Sequence, residues 1–123
     1  MRRVALIVAG VVVLVACGSD DAGNTSGQFA DAITECEADE DHAVVGDDGQ
    51  SLSLTATGFT STGLSFEQFN CILGQLDATD AVMAKIGDTR ALDGRQEASW
   101  GDLEASWTYH PDDGVSMVIE EAA

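Results

Sequence analysis

The side chains able to do chemistry are few and scattered. Three cysteines, Cys17, Cys36 and Cys71, stand beside two histidines, His42 and His110, in a chain of 123 residues. A thiolate can act as a nucleophile or metal ligand, an imidazole as a general base, and paired carboxylates as an acid–base couple. Their spacing assembles none of these. No histidine lies at zinc-ligand spacing from Cys36 or Cys71, and neither histidine has a serine or free thiol placed as a partner. The run from Glu35 to Asp41 gathers five acids around Cys36. It lacks the alternating carboxylates and central glycine of a calcium loop, so it reads as a solvated acidic stretch. His110, followed by Pro111, Asp112 and Asp113, reads as a capped turn histidine. There is no glycine-rich phosphate loop, no His-Glu-x-x-His and no Gly-x-Ser-x-Gly. No catalytic residue, metal ligand or cofactor is expected, and the chain does not read as an enzyme.

The first residues carry an address. Arg2 and Arg3 precede an uncharged apolar run from Val4 to Ala16, ending in small residues. A basic start, a short apolar core and small residues before a cut site make a secretory signal over residues 1–16. A spanning helix needs roughly 20 apolar residues, more than this run supplies. The sequence Leu14-Val15-Ala16-Cys17 resembles the lipobox of bacterial lipoproteins. The resemblance implies cleavage before Cys17, a diacylglycerol on its sulfur, and a mature protein held by lipid on the extracytoplasmic side of the cell membrane. It also leaves Cys36 and Cys71 together in a compartment that permits disulfides. They are expected to pair, with a metal pair or a reactive thiol as the alternative. Closing so long a loop stabilises by roughly 3–4 kcal/mol in the chain-entropy model, a staple that a small domain needs.

Charge narrows the partners. The chain has 22 Asp and Glu against 5 Lys and Arg, a formal net charge of −17. Loss of residues 1–16 removes Arg2 and Arg3 and leaves Lys85, Arg90 and Arg95 as the cations. Such a surface repels phosphate backbones and anionic headgroups, which excludes nucleic acid as a partner. Membrane contact is expected through the lipid on Cys17 and not through a basic patch.

The elements follow from period and punctuation. Residues 17–34, small and polar for much of their length, read as a lipidated flexible tether, and residues 35–121 as one small domain. Ala43 to Val45, the turn Gly46-Asp47-Asp48-Gly49, and Leu52, Leu54 and Ala56 alternating with Ser and Thr predict a β-hairpin. Ser65 with Gln68 forms a capping box that opens a helix. On it Phe66, Phe69, Ile72, Leu73 and Leu76 share an arc of about 120°, with Cys71 on a flank. A second helix is expected from Ala78 to Ile86, capped by Asp77, with Val82, Met83 and Ile86 inward. Gly101-Asp102 is a two-residue turn that sets Trp100 opposite Leu103, Ala98 opposite Ala105 and Gln96 opposite Trp107. A second turn over 110–114 sets Tyr109 near Val115, Trp107 near Met117 and Ala105 near Ile119. Both turns keep one face apolar. The expected fold is α+β, a two-layer sandwich of an antiparallel sheet with two helices in the order ββααβββ.

The stretch from Phe69 to Gly74, Thr79, Val82, Ile86-Gly87, Trp107 to Tyr109 and Val115 to Ile119 resembles a unit of the β-lactamase-inhibitor-protein fold, shared by small outer-membrane-assembly lipoproteins. Asp88 stands where that family usually has proline, and a hairpin precedes the helices. Trp107 to Gly114 also resembles small lipoproteins of high-GC Gram-positive bacteria. Two functions remain in view. One is a non-catalytic envelope lipoprotein that binds or organises an unknown protein partner, as the resemblance to assembly lipoproteins implies. The other is a surface module that captures a ligand or inhibits a hydrolase. Trp100, Trp107 and Tyr109 either form a binding face or, as their alternation with Leu103 and Ala105 favours, fill the core.

Overall fold

Alternation of apolar and polar residues builds the sheet. The computed structural model describes residues 18–122, with side chains from residue 27; the expected signal over 1–16 and the expected lipidation at Cys17 lie outside the described residues. Strands β1 (Ala43–Gly46), β2 (Ser51–Thr55), β3 (Gln96–Trp100), β4 (Leu103–His110) and β5 (Gly114–Glu121) form an antiparallel sheet in the order β1-β2-β5-β4-β3. The expected register of the meander holds: Trp100 pairs with Leu103, Gln96 with Trp107, Trp107 with Met117 and Tyr109 with Val115. The first hairpin joins it through β2 and β5, where Leu52 faces Ile119 and Leu54 faces Met117. One sheet face thus carries Leu52, Leu54, Leu103, Ala105, Trp107, Met117 and Ile119, all buried.

Among the described residues three helices stand with this sheet: α1 (Gly18–Glu35), α2 (Phe66–Gln75) and α3 (Asp80–Gly87). The fold is α+β, and it has one helix more than expected. Residues 27–34 are not tether, because Phe29, Ala32 and Ile33 are buried in the same core as the sheet residues. Gly, Ser, Asp and Thr weaken helix propensity in this segment. The stripe Phe29, Ala32, Ile33 and Cys36 nonetheless repeats at i, i+3, i+4, i+7, the spacing of a buried helix face. Tertiary packing overrides propensity here, and the folded domain begins before residue 35.

The capping box on α2 is present as expected: Gln68 N–H donates to Ser65 Oγ at 3.1 Å, and Ser65 N–H to Gln68 Oε1 at 3.0 Å. On α3 the cap is Thr79 and not Asp77, with Val82 N–H donating to Thr79 Oγ1 at 3.2 Å. Asp77 instead takes a left-handed turn after α2, with φ of +64°. That geometry delays the start of α3 to Asp80. Cys36 and Cys71 form a disulfide that pins the end of α1 to the flank of α2, across a sequence separation of 35.

Candidate functional site

The helices leave one end of the sheet uncovered. Along the inner face, the pairs Ala105–Ile119 and Trp107–Met117 are buried, but the next pair, Tyr109–Val115, is half-exposed. The gap above it is an apolar groove of about 1220 Å³. Phe66 and Phe69 of α2, Met83 and Ile86 of α3, and Tyr109 and Val115 of the sheet form its apolar walls. Arg90 stands at its margin.

Two aromatic side chains are largely exposed, Phe66 in the groove wall and Phe59 in a loop that does not line it. Phe66 opens α2 and is 81% exposed. It was expected to face the core, yet it sits at one margin of the apolar arc, about 60° from the arc's centre at 100° per residue. Phe59 is 87% exposed. Its loop is hydrogen-bonded to the β4–β5 turn. Phe59 N–H donates to Pro111 O at 2.8 Å, Thr60 N–H to Asp112 O at 3.0 Å, and Ser61 Oγ–H to Asp112 O at 3.0 Å. Gly114, at φ +77°, approaches the backbone of Ala56 and Thr57 so closely that a Cβ there would collide with their carbonyl oxygens. Gly58 meets the backbone of Asp112 to Gly114 with the same lack of room. Backbone contacts therefore hold the Phe59 main chain against Pro111, itself a groove residue.

The residues singled out from sequence divide sharply. Trp100 and Trp107 are core and form no binding face, being 7% and 0% exposed. Each indole N–H is satisfied internally: Trp100 Nε1 donates to Leu76 O at 2.9 Å and Trp107 Nε1 to Thr89 Oγ1 at 2.9 Å. Lys85 lies 5.9 Å from the Trp107 ring and donates to Glu97 O at 2.6 Å. Of the three aromatics only Tyr109 reaches the groove. Both sulfurs of Cys36 and Cys71 are consumed by the disulfide. His110 Nδ1 accepts the Asp112 N–H at 3.1 Å, which closes the turn. Among the described residues no group of His, Cys, Asp and Glu is placed to hold a metal ion.

Arg90 and Asp93 bracket a short 3₁₀ turn at Ala91–Asp93, joined at 3.1 Å between Nη2 and Oδ1. The Arg90 backbone N–H, and after it the guanidinium, holds the Asp93 carboxyl below its usual range. The Asp93 carboxylate in turn raises the Arg90 guanidinium. On the opposite sheet face, Glu104 and Glu120 stand directly across from each other near Glu97. Like charges so placed repel, and nothing apolar larger than the half-exposed Val44 and Val118 accompanies them. Among the described residues no helix is long and apolar enough to cross a membrane.

No protein-family model, curated protein or solved structure matches this chain.

Proposed function

We propose that this protein is a non-catalytic lipoprotein, anchored through Cys17 to the extracytoplasmic face of the cell membrane, and that its groove binds another envelope protein. The anchor rests on Arg2-Arg3, the uncharged run to Ala16 and the lipobox resemblance at Leu14 to Cys17. The binding role rests on one observation above all: Phe66 is 81% exposed at the lip of an apolar groove in a chain whose other surface is strongly acidic. Exposed apolar patches rimmed by polar residues mark interaction sites. Engagement of both sulfurs and of His110 Nδ1 in structural bonds supports binding over catalysis.

The test is affinity purification from mildly cross-linked envelope, comparing the parent chain with Phe66→Asp. A partner that co-purifies with the parent and is lost from the variant, while the variant's melting curve stays unchanged, is the expected result. Equal recovery from both would remove the groove from the account.

A further inference from the structure

We infer that the groove stands at the pole of the domain farthest from the membrane anchor, and that its occupant is an apolar segment of a protein domain lying clear of the bilayer. This inference rests on the reading that the chain is anchored at Cys17 and binds protein through the groove, and it names where that partner presents its segment.

The course of α1 carries it. Gln28 Nε2 donates to Glu121 Oε2 at 3.4 Å, which puts this part of α1 at the end of β5. The other end of α1 lies toward the groove: Cys36 is bonded to Cys71 in α2, and Gln68 Nε2, in the first turn of α2, donates to Glu37 O at 3.0 Å. The last turn of α2 is at the Glu121 pole, where Leu76 O accepts the Trp100 indole N–H and Trp100 pairs with Leu103, itself the partner of Glu121. The two helices therefore run antiparallel, and α1 points its N-terminus away from Phe66. Val115 in the groove wall and Glu121 are about 20 Å apart at the rise of a strand. From Gln28 back to Gly18 the helix runs about 15 Å further in the same direction. Cys17 directly precedes Gly18.

The groove thus opens at the pole opposite the lipid. Its lining residues include no carboxylate, and their cation, Arg90, is paired with Asp93 at 3.1 Å, so apolar contact selects the occupant. Phe66, Phe69, Met83 and Ile86 suit aliphatic or aromatic side chains of a protein segment. A neighbour's spanning helix keeps its roughly 20 apolar residues within the bilayer, on the far side of the anchored pole. The acyl chains of the bilayer are equally remote. A segment displayed outside the membrane meets the groove directly.

The experiment uses the mature acylated chain in phosphatidylcholine nanodiscs carrying a lipid with a gadolinium chelate on its headgroup. Amide signals of Gln28, Asp102 and Glu121 should lose most of their intensity, while the Met83, Ile86 and Val115 methyl signals stay near full height. A photoreactive residue at Phe66, used in cells, should yield adduct peptides from outside any membrane-spanning run of the partner. Broadening equal at both poles, or stronger at Met83 and Ile86, would overturn the inference. Lipid adducts at Phe66, or adducts within a partner's spanning run, would do the same. Either result, with Phe66→Asp still abolishing co-purification, sinks this inference alone. The graded profile, with equal recovery from Phe66→Asp, upholds the placement of the groove and sinks the functional reading.

Discussion

Trp107 has no exposed surface, and its indole N–H finds Thr89 Oγ1 at 2.9 Å. Thr89 Oγ1–H in turn donates to Lys85 O at 2.8 Å, so the ring ties the end of α3 to the sheet. Trp107→Ala should cost about 3–5 kcal/mol in denaturant unfolding, because it leaves a cavity and strands a polar partner. Gly114→Ala should cost about 1–3 kcal/mol, since alanine resists the left-handed backbone and meets the carbonyls of Ala56 and Thr57. The same change should loosen the Phe59 loop, read as faster amide exchange at Phe59 and Thr60. The tryptophan's place was legible in sequence, because strict alternation with Ala105 and Leu103 assigns it a face. The exposure of Phe59 and Phe66 was not legible. It depends on where the helices stop covering the sheet, which no local pattern encodes. The long sequence separation between the Phe59 loop and its backbone partners, Pro111 for Phe59 and Asp112 for Thr60, hides the clamp in the same way, with Thr60 to Asp112 spanning 52 positions.

At the scale of elements, period and turn chemistry carried the meander, the first hairpin and α2, including its capping box. The elements that departed from expectation did so where two signals compete. In α1 a polar composition masks the stripe Phe29, Ala32, Ile33 and Cys36; between α2 and α3 the left-handed Asp77 displaces the cap to Thr79. The disulfide joins α1 to α2, so replacing Cys36 and Cys71 by serine should cost about 2–5 kcal/mol, measured as a lowered unfolding midpoint. Phe29→Ala should destabilise as strongly as a sheet-core truncation, by about 3–5 kcal/mol; a tether residue would show no change. The turn at Ala91–Asp93 adds a pH signature. The Asp93 pKa is depressed by Arg90, so whatever this turn gains from the pairing is present above the ordinary aspartate range and fades as pH falls through the folded-state value. A carboxyl titration followed by carbon NMR should place the Asp93 midpoint below that of an unfolded reference peptide.

The described residues form an acidic domain with an apolar groove at one end of its sheet. The chain's formal net charge is −17, and Phe66, Phe69, Tyr109 and Val115 line an apolar groove. Changing Cys17 to Ala should leave uncut precursor without acyl groups; recovery of a mature-length, membrane-bound protein from that variant would end the lipoprotein reading. A diacyl anchor should also resist high-salt extraction, because its hold is apolar and not electrostatic. If the groove is the protein's working surface, in-cell photocrosslinking with the reactive residue placed in turn at Phe66, Phe59 and Ser99 reads it out. Adducts of one defined mass at Phe66 and Phe59, with none at Ser99 on the outer sheet face, are the predicted result. Adducts at Ser99 with none at Phe66 or Phe59 would contradict the claim and move the interface to the acidic face of the sheet.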